Sequence, residues 1–135
     1  MSFKEYRMKD IDMIIELEVV EEIFNMLVNE YQDLAARTIN QELYDYEVEM
    51  HALHGMAGEI GELQSMYQKV YQGHVFEEEH AKKELGDLLW FIAEYCTAMN
   101  WNLEDIMLMN IIKLMKRYPD GFKSEQSLNR EKGDI

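Results

Sequence analysis

The sequence predicts an all-α fold, an antiparallel bundle of about four main helices that oligomerisation completes. The chain has 135 residues with eleven methionines and one proline, and unbranched side chains lose little rotamer freedom in a helix. Its hydrophobic fraction of 47% is too high for disorder and fits one domain. Apolar residues recur at helical spacing, and some segments are apolar on more than one side. In so short a chain, such faces indicate a partner helix from a second copy.

The first two predicted helices cover about 10–38 and 42–72. Residues 11–20, "IDMIIELEVV", are rich enough in Ile and Val that a strand or a loose arm is an alternative there. The second helix ends in "YQGHVF" at 71–76, where Gly73 is the expected C-terminal cap.

The third and fourth predicted helices cover about 77–100 and 103–118. The third begins in an acidic turn, which suits the positive end of a helix dipole. The fourth ends where Pro119 and Gly121 forbid continuation. We therefore expect a single domain over 1–122, with 1–29 as an extra N-terminal element, and a polar tail over 123–135.

The charge of the chain excludes one class of partner. A net charge of −14 repels the phosphate backbone, so we expect no polynucleotide partner. The negative charge does not exclude a small phosphorylated ligand, because divalent cations bridge carboxylates and phosphates. Cys96 is alone, and no apolar stretch approaches the roughly 20 residues of a membrane helix. We expect no membrane partner and a cytoplasmic location.

Two carboxylate pairs are the main candidates for chemistry. Glu59 and Glu62 are three residues apart, as are Glu84 and Asp87, so each pair lies on one helix face. The same spacing recurs elsewhere in this acidic chain, but the helical wheel places these four at the seam between two helices. Carboxylates gathered there require a cation, and Mg²⁺ prefers oxygen ligands. From the residues alone, a metal site and a solvated acidic edge both remain open.

Two further features accompany the carboxylates. Gly55, Gly58 and Gly61 are three apart on the second helix, and lacking a Cβ they permit close approach by a helix or a ligand. On the fourth helix, one stripe carries Asn110, Lys113 and Arg117. Two cations and an amide suit phosphate oxygens. The alternative for this stripe is salt bridging to the carboxylates.

Together these segments resemble the MazG-type all-α nucleoside triphosphate pyrophosphohydrolases over about 30–122. The resemblance rests on four stretches: "EYQDLAART" (30–38), "HGMAGEIGELQ" (54–64), "KELGDLLWFIAEY" (83–95) and "NIIKLMKRYPDGF" (110–122). It implies a homodimer or homotetramer whose active site lies close to the subunit interface. It also implies hydrolysis of a nucleoside triphosphate to the monophosphate and pyrophosphate, in nucleotide-pool house-cleaning.

The resemblance also implies roles for individual residues. The set Glu59, Glu62, Glu84 and Asp87 would bind Mg²⁺ or Mn²⁺, while Lys113 and Arg117 meet the triphosphate with Asn110 nearby. Glu59 or Glu62 is the candidate general base, because a carboxylate can take the proton of the attacking water.

Several alternatives stay open. His54, Tyr67 and Trp90 are candidates for a base pocket, against simple core packing of the aromatic rings. Glu77 and His80 match one Glu-x-x-His element of di-iron bundles, which need two. The rival class is a catalytically silent helical oligomer or binding module. Another alternative keeps the chemistry but makes dUTP, dCTP or phosphoribosyl-ATP the substrate.

Overall fold

The structure, a computed structural model, describes residues 27–130 and 133. These residues form five helices: α1 (Val28–Ala36), α2 (Asp45–Tyr71), α3 (Glu78–Ala98), α4 (Leu103–Arg117) and α5 (Ser124–Leu128). The all-α prediction is confirmed, and the described residues contain no strand. The part of the first predicted helix before residue 27 lies outside the described residues. A short helix, α5, lies within the predicted polar tail.

Helices α1 and α2 begin with the same backbone-to-carboxylate contact. The N–H of Leu27 donates to the Glu30 carboxylate at 2.7 Å, and the N–H of Tyr44 donates to Glu47 at 2.9 Å. A glutamate three residues into a helix thus satisfies a donor just outside its first turn. It also places negative charge at the positive end of the helix dipole.

Helices α2 and α3 end in the same left-handed turn. Gly73 has φ +92° and Asn100 has φ +56°, the conformation that glycine and asparagine adopt most readily. In each turn the N–H of the following residue reaches back to a carbonyl in the last helical turn, at 3.1 and 2.8 Å respectively. The predicted stop at Gly73 is therefore confirmed.

Helices α2 and α3 form an antiparallel hairpin, which is the most extensive packing in the described chain. Small residues let the two backbones approach, since Ala52 and Ala93 have 0% exposed surface. The Phe91 ring lies directly over Gly55, where a Cβ would overlap it. This is the close helix approach expected of a glycine, whereas a Cβ at Gly58 or Gly61 would meet nothing within 4 Å.

The larger apolar side chains of the hairpin are not all in its core. The helical wheel favours burial of Leu85 and Leu89 on α3 and of Ile60 and Tyr67 on α2, but all four are exposed. The side chains that are fully buried between the helices include the small Ala52 and Ala93. The wide apolar faces of both helices therefore remain available to another surface.

A buried amide joins α1 to the turn between α3 and α4. The Nε2 of Gln32 donates to the carbonyl of Trp101 at 2.7 Å, and its Oε1 accepts from the N–H of Leu103 at 2.7 Å. Gln32 is only 7% exposed. Its carboxamide satisfies the first N–H of α4, one of the donors that a helix leaves without an internal partner. This contact fixes the start of α4 against α1.

No helix among the described residues combines the length and apolar character that crossing a bilayer requires.

Replacing Gln32 by alanine should destabilise the protein. The change leaves the buried Leu103 N–H without its partner, at about 1–3 kcal/mol, and the part-buried Trp101 carbonyl without its partner, at about 1 kcal/mol. We expect the free energy of unfolding to fall by about 2–4 kcal/mol, measured by urea denaturation followed by circular dichroism. The matched control is Gln41→Ala, which removes an exposed amide bonded to the Ile39 carbonyl and should cost less than about 0.5 kcal/mol. Equal losses in both variants would show that the Gln32 contacts are not important for stability.

Candidate functional site

Three carboxylates meet across the α2–α3 hairpin. Glu59 comes from α2, and Glu84 and Asp87 come from successive turns of α3. One ligand oxygen from each lies within 4.8 Å of the others. The antiparallel register that stacks Phe91 on Gly55 also brings Glu59 opposite the α3 pair. We call these three residues the acidic cluster.

The crowding of carboxylates in the acidic cluster favours the protonated form of Glu59. The pKa of Glu59 is raised, first by a side-chain hydrogen bond with Glu84, then by burial, and then by repulsion from Glu84, Asp87 and Glu62. Two carboxyl groups can share a hydrogen bond only if one of them carries a proton. A cation among the same oxygens would remove that requirement, and an oxygen-only set fits Mg²⁺ or Mn²⁺.

Glu62 lies one turn further along α2. Its charge contributes to the raised pKa of Glu59, so it lies near the acidic cluster. Its side chain is exposed, and it is not among the carboxylates that gather within 4.8 Å.

Two residues that the sequence did not assign to the site interact with the acidic cluster. His80 Nε2 is 2.6 Å from a carboxylate oxygen of Glu84. Burial and then the charge of Asp87 raise the pKa of Tyr31 on α1. The four-residue spacing of His80 and Glu84 is a local signal that could have been found. Tyr31 reaches the site only through the packing of α1 on α3.

The predicted phosphate-binding stripe lies on α4, apart from the acidic cluster. Asn110 and Lys113 are exposed, and within residues 27–130 no hydrogen bond or ion pair joins them to the cluster. The Arg117 guanidinium lies 5.9 Å from the centre of the Tyr118 ring. The assignment of these three residues to the triphosphate stays a prediction.

The candidate base-pocket residues lie in three different environments. Trp90 packs against the core, and its Nε1 donates to Thr38 Oγ1 at 2.8 Å, which favours a packing role. The Tyr67 ring lies 4.9 Å from that of Phe76. His54 is exposed on α2.

The di-iron alternative finds no support in the described residues. His80 bonds Glu84, whereas its other ring nitrogen is 3.8 Å from Glu77, too far for a hydrogen bond. The ligand group that the described residues form contains carboxylates alone.

A second ionisable pair lies further along the hairpin. The Glu94 side chain is 1% exposed, and both of its oxygens approach His51 Nδ1, at 2.9 and 3.0 Å. A buried carboxylate requires such a partner. Nothing in the sequence around Glu94, an apolar run, indicated this pair.

The acidic cluster should make the metal-free protein less stable as the pH rises. Because the folded state raises the pKa of Glu59 above its ordinary value of 4.5, protonation favours folding. That stabilisation is complete below 4.5 and is lost as the pH passes the raised value. Glu59→Gln keeps a donor for Glu84 but cannot ionise, so we expect wild type to lose stability relative to this variant between pH 4.5 and neutrality. The melting temperatures of both proteins in EDTA, measured across that range, test this; parallel curves would contradict it.

Comparison with known proteins places the acidic cluster in a family. The family model of the MazG nucleotide pyrophosphohydrolase domain matches residues 17–122. We found no significant match among curated proteins or solved structures. The matched range contains α1 to α4 and all the predicted site residues, and it confirms the predicted resemblance. The chain belongs to the MazG nucleotide pyrophosphohydrolase family.

Proposed function

We propose that this protein is a Mg²⁺-dependent nucleotide pyrophosphohydrolase, with Mn²⁺ as an alternative metal. It would cleave a ribo- or deoxyribonucleoside triphosphate between the α- and β-phosphates, giving the monophosphate and pyrophosphate. The observation that carries this proposal is the meeting of Glu59, Glu84 and Asp87 across two helices of a MazG domain. Removal of unwanted nucleotides from the cytoplasmic pool is the role we propose for it.

The acidic cluster, with Glu62 beside it, would hold the metal. Its oxygens suit a hard divalent cation, and the repulsion that raises the pKa of Glu59 marks the negative charge that a cation would neutralise. When bound, Mg²⁺ would polarise the phosphoryl oxygens and lower the pKa of a coordinated water. The hairpin supplies the ligands from two rigid helices, which keeps the carboxylates in place before the substrate arrives.

The remaining roles follow from charge and residue type. Glu59 or Glu62 would take the proton of the water that attacks the α-phosphorus. Lys113 and Arg117 would stabilise the charge that develops on the leaving pyrophosphate, with Asn110 hydrogen-bonding a phosphate oxygen. No Ser, Cys or Lys nucleophile is required for this reaction.

We also propose that a second copy of the chain covers α4. This helix contacts α1 and α3, and apolar side chains all around it are exposed, namely Ile106, Met107, Leu108, Met109, Ile111, Ile112, Leu114 and Met115. A helix that exposes so many apolar side chains is normally covered by another surface. A homodimer or homotetramer would bury these side chains, together with the exposed apolar faces of α2 and α3.

A nucleotide panel tests the reaction. With Mg²⁺, we expect the protein to convert at least one triphosphate to its monophosphate and pyrophosphate, identified by chromatography. The panel contains canonical and modified nucleotides with dUTP, dCTP and phosphoribosyl-ATP, and so distinguishes the substrate alternatives. A nucleoside diphosphate with orthophosphate would contradict attack at the α-phosphorus. No turnover of any nucleotide would favour the silent helical oligomer.

Variants of the same enzyme separate the acidic and basic roles. The double variant Glu84→Gln with Asp87→Asn should lose Mg²⁺-dependent turnover but keep its helical circular dichroism. Lys113→Ala should lower kcat/KM about 10- to 150-fold, the effect of one charge-assisted contact worth about 1.5–3 kcal/mol. Lys116→Ala removes an exposed lysine of α4 that is not in the stripe of Asn110, Lys113 and Arg117, and should leave kcat/KM unchanged. Equal effects of the two lysine changes would contradict the assignment of Lys113.

Sedimentation at micromolar concentration tests whether a second copy of the chain binds. We expect a species of at least twice the 16.1 kDa chain mass. Ile112→Glu should shift it towards the monomer, because a carboxylate within an apolar interface is costly. Lys116→Glu places the same group at a polar position one turn further along and should not dissociate the oligomer. A wild-type monomer would contradict the proposal.

A further inference from the structure

The contact between His80 and Glu84 is the shortest ion pair of this histidine and lies at the edge of the acidic cluster. His80 is on the first turn of α3, four residues before Glu84, so the two side chains share a helix face. The distance from Nε2 to the carboxylate oxygen is 2.6 Å. The histidine side chain is 45% exposed, whereas that of Glu84 is 13% exposed. The imidazole therefore lies between solvent and a largely buried carboxylate.

His80 holds Glu84 at the edge of the acidic cluster. The Glu84 carboxylate lies 2.6 Å from His80 Nε2, and one of its oxygens lies within 4.8 Å of ligand oxygens of Glu59 and Asp87. The contact with His80 restrains the rotation of the carboxylate and the direction in which its oxygens point. A long, flexible side chain such as glutamate loses this orientation when a partner is removed.

We propose that His80 is a positioning residue of the metal centre, donating a hydrogen bond that orients Glu84 towards the cation. The inference rests on the proposed function, because it needs Glu84 to be a ligand. Carboxylates that bind metals are themselves hydrogen-bonded, and loss of such a partner typically lowers metal affinity by about 10- to 100-fold. His80 is not itself a member of the ligand group, which contains carboxylates alone among the described residues.

The burial of Glu84 distinguishes this contact from an ordinary surface ion pair. Lys82 pairs with Glu78 and Glu79 on the same turn of α3, where both acids are mostly exposed, and such pairs contribute little. Glu84 lacks that access to water, so the hydrogen bond from His80 is not readily replaced by solvent.

Metal titrations of four proteins test the proposal. The melting temperature of the full chain is measured against MgCl₂ or MnCl₂ concentration, with no nucleotide present, for wild type, His80→Ala, His80→Gln and His80→Asn. We expect His80→Ala to need about 10- to 100-fold more metal for the same shift. The glutamine amide nitrogen lies where Nε2 lies, so His80→Gln should restore most of the affinity. The shorter asparagine mimics Nδ1, which faces Glu77, and should not.

The matched control is His74→Ala. It removes another exposed imidazole, from the loop between α2 and α3, and should leave the metal titration unchanged. With saturating metal, His80→Ala should approach the kcat of wild type, because a positioning residue acts through ligand affinity and not on the substrate. If His80→Ala does not fold, the comparison of glutamine with asparagine decides the question.

The outcomes separate this inference from the function on which it rests. A wild-type protein with no response to metal would overturn the proposed metal centre itself. A wild-type response that His80→Ala shares would overturn only the role of His80. Equal affinities for His80→Gln and His80→Asn would also overturn it, since the contact would then not depend on a donor at the Nε2 position.

Discussion

The close approach of α2 and α3 is the constraint on which the rest of the structure depends. Ala52 and Ala93 are fully buried, and the Phe91 ring occupies the space that Gly55 leaves. A larger side chain at Ala52, Ala93 or Gly55 would push the two helices apart. Since the register is fixed there, the acidic residues one to three turns further along meet each other across the hairpin. Residues that carry no reactive group thus determine, through their packing, where the carboxylates of the acidic cluster lie.

Buried polar contacts complete this arrangement at the other end of the hairpin. Gln32 on α1 hydrogen-bonds the turn between α3 and α4, and His51 on α2 pairs with the buried Glu94 on α3. Hydrogen bonds require particular distances and angles, whereas apolar contacts tolerate sliding. We infer that these two contacts determine the orientation of the helices, while the alanine contacts determine their spacing. An apolar residue in place of Gln32 or Glu94 could fill the same volume, but it could not form the hydrogen bonds that orient the helices.

The sequence predicted the positions of most helices better than it predicted which side chains on their surfaces are buried or in contact. Helical spacing, Gly73 and Pro119 located the second, third and fourth predicted helices to within a few residues, because these signals are local. The first predicted helix was placed less well, since α1 begins only at Val28, after Leu27 in an extended conformation. The acidic motifs predicted Glu59, Glu62, Glu84 and Asp87 as a group, and the structure brings three of these four together. The wheel did not predict that Leu85 and Leu89 would be exposed, because it identifies an apolar face without saying which chain covers it. Nor could it reveal that Asp87 acts on the pKa of Tyr31, because this effect depends on the packing of α1 against α3.

The hairpin loop has a consequence for the order in which the protein forms. All three residues of the acidic cluster belong to one continuous stretch, joined by the turn at Gly73. Contacts between segments that are near in sequence close small loops, so they cost little chain entropy and form quickly. The acidic cluster can therefore form before the more distant contacts of α1 with α3 and α4. A folding chain would then carry the gathered carboxylates before it presents the complete surface proposed to bind a second copy.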